Sequence, residues 1–175
     1  TKRYIRISTD GGATWSASIG SSNEGVTLAT LQRGEKMMVK TIYDTVYEYS
    51  YNGEYAHFTS SSDFALEGNI MSLLYQNDFW NFTGFGENSS CTFLRMFAGC
   101  TGLVDIDNLV MPATTLVQGC YERMFQGTGI TSLPENLLPA TTLSPSCYYY
   151  MFYGCPITAI PSGFLPATTL ADSCY

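Results

Sequence analysis

The residues able to do chemistry in this chain are few and scattered. His57 is the only histidine, and it sits inside a tyrosine-rich run rather than beside a carboxylate or cysteine. Asp105 and Asp107 alternate along a strand-like run, a spacing that suits turn and solvent contacts better than acid–base work. No nucleophile elbow, phosphate-binding loop or framed pair of acids occurs. The six cysteines stand at 91, 100, 120, 147, 155 and 174. They include no C-x-x-C pair and have no histidine partner, so a zinc centre is not expected. These residues point away from catalysis: the chain reads as a non-enzyme that needs no cofactor and binds no metal.

What remains is chemistry of recognition. Arg95, Arg123, Tyr149, Tyr150 and Tyr153 flank recurring Met-Phe pairs. If Met-Phe faces a core, some of these neighbours must face solvent, and stacked units would align them as a ladder. Exposed tyrosines on a rigid scaffold suit binding of sugar or protein. These five residues are the candidate ligand-binding set.

The elements that must position them repeat. Cys120 to Ser146 reads CYERMFQGTGITSLPENLLPATTLSPS, and Cys147 to Ser173 reads CYYYMFYGCPITAIPSGFLPATTLADS. A looser copy spans 91–119, and a further one opens with Cys174-Tyr175. The Met-Phe pairs are Met96-Phe97, Met124-Phe125 and Met151-Phe152. Pro-Ala-Thr-Thr-Leu begins at Pro112, Pro139 and Pro166, a period of 27 residues. Fixed self-similarity of this length marks stacked units, none of which buries enough surface alone. Leu103–Ile106, Ile130–Leu133 and Ile157–Ile160 read as one short strand per unit, ended in the last two by Pro134 and Pro161. Leu116, Leu143 and Leu170 add an apolar anchor to each. Cys120, Cys147 and Cys174 share one repeat position and are expected to point inward. Cys100 and Cys155 share another with Thr128. Residues two coils apart are at least about 9 Å apart at strand spacing, beyond the roughly 4.4–6.8 Å of a disulfide. Buried free thiols are expected, with irregular Cys91 the candidate exception.

The Met-Phe, Cys and Pro-Ala-Thr-Thr-Leu markers resemble the BspA-type leucine-rich repeats, in the variant of surface and phage-borne proteins of Bacteroides-type bacteria. The resemblance covers about residues 91–175. One departure is that Cys91 lies five residues before Met96, whereas Cys120 and Cys147 lie four before theirs. The resemblance implies a leucine-rich repeat solenoid, surface display, adhesion and no shared catalytic site.

A second motif lies near the start. Ser8-Thr9-Asp10-Gly11-Gly12-Ala13-Thr14-Trp15 resembles the Asp-box of sialidase-like propellers at every defined place. In that family the box is structural and lies away from the active site, and an enzyme needs several boxes and an arginine cluster. Here it reads as a self-contained hairpin in which Asp10 accepts turn N–H groups.

The rest of the first 75 residues also reads as strands. Tyr4–Ser8 alternates, Val26–Leu31 alternates, and Lys36–Lys40 follows a turn at Arg33-Gly34-Glu35. Tyrosine-rich runs at 47–51 and 55–59 flank Asn52-Gly53, a hairpin signal, and 64–74 is a further apolar segment. The expected architecture is mainly β: an antiparallel β-sandwich of six to eight strands at 1–75, a linker or cap at 76–90, and repeats at 91–175. The repeat units are 91–119, 120–146 and 147–173, with a truncated fourth.

Net charge is −7. Six of the eight Lys/Arg lie in residues 1–40, and residues 41–175 carry Arg95 and Arg123 against twelve acids. Nucleic-acid binding, which needs clustered cations, is therefore not expected. Nor is membrane insertion, since no run of about 18 apolar residues occurs. Thr1 and the opening of a further unit at Cys174 suggest a piece of a longer protein. The expectation is a non-catalytic extracellular or cell-surface module that adheres to a surface glycan or protein. The alternatives are a phage tail or fibre component, hence a virion location, or a structural spacer. Self-association through the last repeat is a further expectation.

Overall fold

The structure is a computed structural model that describes residues 4–20, 25–42, 57–75, 77–86 and 89–175. The chain opens with β1 (Tyr4–Ser8), β2 (Ile19–Gly20) and β3 (Met38–Thr41), which form an antiparallel sheet in the order β2-β1-β3. Alternating Ile5 and Ile7 make β1 the central strand, with Ile5 opposite both Ile19 and Thr41. Then β4 (Phe64–Ala65) and β5 (Gly68–Asn69) leave that sheet. They pair in parallel with β6 (Leu103–Asp105) and β7 (Leu109–Val110) of the first repeat. Two 3-10 turns, Ile70–Leu73 and Phe79–Asn81, follow β5. The Asn69 side chain caps the first by accepting from Met71 N–H.

The expected mainly β architecture, a β-sandwich followed by a leucine-rich repeat solenoid, is not what the structure shows. Among the described residues, strand is confined to seven short segments in one three-stranded and two two-stranded sheets. Val26–Leu31 alternates in sequence but is not a strand, because no segment among the described residues pairs with it. The expected hairpin at 47–59 falls mostly outside the described residues, and 57–59 is not strand. Of the three strand-like repeat runs only Leu103–Asp105 is a strand, and it finds its partner in β4 rather than in the next copy. Ile130–Leu133 and Ile157–Ile160 are irregular.

The repeat copies are held together by a different backbone device. Alternate N–H groups of one copy donate to carbonyls of the next. Phe93, Arg95, Phe97 and Gly99 donate to Cys120, Glu122, Met124 and Gln126 at 2.7–3.0 Å. Tyr121, Arg123, Phe125 and Gly127 donate to Cys147, Tyr149, Met151 and Tyr153 at 2.8–3.0 Å. Most of the intervening N–H groups close turns onto the residue three before, as Met124 does onto Tyr121. Most donors are thus satisfied without a regular strand. The device requires a left-handed residue at every fourth place. Gly99, Gly127 and Gly154 supply one such place, but Cys91, Arg95, Arg123, Ser146 and Tyr150 also take φ of 52–58°, where a Cβ is disfavoured.

This four-residue rhythm turns two side chains in and two out. Cys120-Tyr121 and Met124-Phe125 are buried, whereas Glu122-Arg123 and Gln126-Gly127 are half-buried. Inward rings stack from copy to copy. Phe97, Phe125 and Phe152 lie 5.8 and 5.5 Å apart, and Phe93, Tyr121 and Tyr148 lie 5.5 and 5.7 Å apart. The backbone register also resolves the displaced first cysteine. Phe93 N donates to the Cys120 carbonyl, so Thr92 holds the place of Cys120 and Cys147, and Cys91 holds that of Gly119.

The N-terminal side of the first copy is covered. Phe58 N donates to the Met96 carbonyl, Phe64 N to Gly102, and Phe58 stacks on Phe97 at 5.4 Å. His57 Nε2 lies 2.6 Å from the Ala98 carbonyl, a tie between segments.

Candidate functional site

Arg123, Tyr149, Tyr150 and Tyr153 form one surface cluster. The rhythm that buries Tyr121 and Met124 turns Arg123 outward, and one copy later it turns Tyr149 and Tyr150 outward. Tyr149 and Tyr150 rings stack at 4.1 Å, and Tyr150 and Tyr153 at 5.0 Å. The Arg123 guanidinium lies 5.6 and 5.5 Å from the Tyr149 and Tyr150 ring centres, within cation–π range. Its Nε is shielded from solvent, makes no hydrogen bond and lies 3.7 Å from Glu122 Oε1. Tyr150 is 42% exposed and Tyr153 62%. The Tyr150 hydroxyl is held above the usual phenol value, chiefly by its hydrogen bond with the Tyr149 hydroxyl. Arg95 occupies the equivalent left-handed place one copy earlier, its N–H donating to the Glu122 carbonyl. These contacts join four of the five candidates, and backbone register relates Arg95 to them.

The cluster borders an apolar groove that sequence reasoning missed. Its volume is about 600 Å³, and Tyr150, Tyr153, Ile157, Ile160, Leu165 and Tyr175 are among its lining residues. Ile160 is 65% exposed, although Leu133 at the same repeat position is buried at 8%. Leu165 and Leu170 are likewise exposed where Leu138 and Leu143 are buried. The repeat itself places these residues at equivalent positions, 27 residues apart, and the third copy exposes what the second buries.

The other chemistry-bearing residues are accounted for structurally. Asp10 accepts from Thr14 N–H at 3.0 Å, Thr14 Oγ1 at 2.5 Å and Ser8 Oγ at 2.7 Å. Those bonds hold its carboxyl far below the usual carboxylate range. Gly12 N–H donates to Ser8 Oγ, and Trp15 Nε1 donates to the Gly12 carbonyl, so the motif is a self-contained turn. Lys40 Nζ sits 4.1 Å over the Trp15 ring. All six cysteines are free thiols, and only Cys155 is not fully buried. Cys120 and Cys147 face carbonyls of the following copy at 3.9 and 3.7 Å. Burial pushes the Cys147 thiol up to about 11. Cys155 Sγ lies 3.3 Å from Thr128 Oγ1, its repeat equivalent. Among the described residues, no group of three or more His, Cys, Asp or Glu could hold a metal ion. Among the described residues, no helix is long and apolar enough to cross a membrane.

No protein-family model, curated protein or solved structure matches the chain.

Proposed function

We propose that this chain is a non-catalytic recognition module of an exported or surface-displayed protein, binding a glycan through the outward cluster of Arg123, Tyr149, Tyr150 and Tyr153. The observation that carries the reading is three stacked tyrosines held beside a guanidinium on a backbone fixed by inter-copy hydrogen bonds. A sugar ring presents an apolar C–H face and equatorial hydroxyls. The exposed Tyr153 ring offers a complementary face, and the phenols and guanidinium offer donors and acceptors around it. The rings are already stacked, so little side-chain entropy is lost on binding. The repeat markers' resemblance to those of surface-displayed BspA-type proteins supports an adhesive role.

The test is binding to a panel of bacterial surface polysaccharides and host glycoproteins, with a variant carrying Tyr149→Ser, Tyr150→Ser and Tyr153→Ser alongside. Saturable binding that the variant loses supports the reading. Binding that survives in the variant places recognition elsewhere. Binding to deglycosylated protein as tight as to the glycosylated form identifies a protein epitope instead.

A further inference from the structure

An exposed aromatic turn and the paired threonines of the repeat belong to neither the core nor the tyrosine cluster. Trp80 is 61% exposed and Phe82 39%, on and just after the 3-10 turn Phe79–Asn81. Their supports fix them in place. Phe82 stacks on buried Tyr75 at 3.8 Å and 5°, and the Tyr75 hydroxyl donates to the Gly84 carbonyl at 3.0 Å. Trp80 meets Phe79 edge-on at 4.9 Å. Asn81 N–H donates to the Asp78 carbonyl and Phe82 N–H to that of Phe79, closing the turn. Polar side chains flank these rings and are not engaged. Asp78 stands at the N-cap of the turn but makes no capping bond. The Asp78 carboxylate, the Asn81 amide and the Thr83 hydroxyl are exposed and make no hydrogen bond among the described residues.

The next residues join this turn to the repeat. Thr114 and Thr115 N–H both donate to the Thr83 carbonyl, at 2.8 and 3.2 Å, and Gly84 bridges Thr115 in parallel. A Cβ on Gly84 would lie 3.1 Å from Thr115 Cβ, so the open side of Gly84 and the Thr115 side chain share a face. One copy on, Thr142 holds the place of Thr115 and bridges Thr169 in the same way. Thr114, Thr115, Thr141 and Thr142 are exposed although each lies between two stacked neighbours. Among the described residues, the hydroxyls of Thr115, Thr141 and Thr142 make no hydrogen bond, and that of Thr114 makes one long bond to the Thr83 carbonyl at 3.4 Å. The column therefore offers two hydroxyls per copy, at the spacing of about 4.8 Å that parallel strand pairing sets.

We infer that the Trp80 turn and the threonine column form one track for an extended, neutral polysaccharide chain. One sugar ring lays its apolar C–H face on Trp80, with its hydroxyls donating to the Asp78 carboxylate and bonding the Asn81 amide. From there the chain advances by about one sugar per copy, because a pyranose unit in an extended chain is about as long as the copy spacing. Each sugar then meets one threonine pair. The preference for a neutral chain follows from charge: residues 41–175 carry two cations against twelve acids, a field that repels a polyanion. The column presents side-chain hydroxyls on the flat of the ladder rather than a strand edge, which favours a glycan over a strand-like peptide. The track shares no residue with the tyrosine cluster and does not rest on binding there.

The experiment titrates the hexasaccharides and disaccharides of β-1,4-glucan, β-1,4-xylan and β-1,4-mannan into the chain carrying Trp15→Phe, in which Trp80 is the sole tryptophan. At least one hexasaccharide should shift the Trp80 emission to saturation, and calorimetry on the parent chain should return the same affinity. Trp80→Ala should weaken that binding at least about tenfold with thermal unfolding unchanged. Thr115→Val, which keeps the shape and removes the hydroxyl, should weaken the hexasaccharide about two- to tenfold and leave the disaccharide unaffected. The variant carrying Tyr149→Ser, Tyr150→Ser and Tyr153→Ser should bind both as the parent does. No emission change and no heat with any of the three hexasaccharides would overturn the inference. So would equal affinity for disaccharide and hexasaccharide, or binding confined to a polyanionic chain such as polygalacturonate.

Discussion

Replacing Phe125 by Ala tests whether the copies are joined through their ring ladder. Phe125 is fully buried, and its ring lies 5.8 Å from Phe97 and 5.5 Å from Phe152, at interplanar angles of 17° and 18°. Removing a ring from the middle of the ladder leaves a cavity that two rigid neighbours cannot fill. A cost of about 3–5 kcal/mol is expected, and the lost ring–ring contacts of roughly 0.5–1.5 kcal/mol each are contained in that figure. Phe152 provides the internal comparison. It is only half-buried, with Phe125 on one side and a tilted Phe164 at 6.2 Å. Its replacement by Ala removes less buried area, and about half the cost is expected. Urea denaturation at fixed pH measures both, provided the slope m is unchanged. A Phe125→Ala cost under about 1 kcal/mol, or one smaller than that of Phe152→Ala, would refute the ladder as the source of cohesion.

Gly129→Ala should destabilise by about 1–3 kcal/mol or more, because a Cβ there would lie 2.4 Å from the Thr101 carbonyl oxygen and 3.0 Å from Val104 Cγ1. Gly127→Ala should cost only about 1 kcal/mol of left-handed strain, since its Cβ would meet nothing closer than 3.8 Å; thermal unfolding separates the two. Ser146→Gly relieves the same strain at φ 54° and should stabilise by up to about 1 kcal/mol in the urea assay. The Cys147 thiol is raised from 9.0 to about 11, mainly by burial. The folded chain keeps that proton while the unfolded chain releases it, so stability is intact below pH 9 and falls as pH rises toward 11. Urea midpoints should drop more steeply over that window for the parent than for Cys147→Ala, and equal slopes would contradict the burial.

Much of the repeat was legible because it depends on side-chain type at a fixed spacing. Met124-Phe125, Cys120, Cys147 and Leu143 are buried at the positions where a shared core needs them. What the sequence concealed was backbone conformation. A left-handed residue at every fourth place is advertised by Gly127 and Gly154, but Arg123, Ser146 and Tyr150 adopt it too, and the N–H groups of Arg123 and Ser146 are held by inter-copy hydrogen bonds. Apolar residues at first and fourth places suggest a strand in Ile130–Leu133 and Ile157–Ile160. The same spacing also serves an irregular segment, which in the second copy buries both Ile130 and Leu133, and the ladder bonds instead run through the Met-Phe stretch. The β-sandwich failed for a related reason: alternation in Val26–Leu31 describes a strand that could form, whereas a sheet needs a partner edge in register. At the candidate site, the outward positions of Tyr149, Tyr150 and Tyr153 followed from the inward Met-Phe pair. Their mutual stacking did not, because it depends on the turn that brings Tyr153 back over Tyr150.

The most direct measurement is fluorine NMR of the chain labelled with 3-fluorotyrosine, titrated with a polysaccharide that binds in the panel. The account predicts shifts at Tyr149, Tyr150 and Tyr153 that saturate together, while buried Tyr121 and Tyr148 stay unmoved. Saturable binding with no change at any of the three would contradict it.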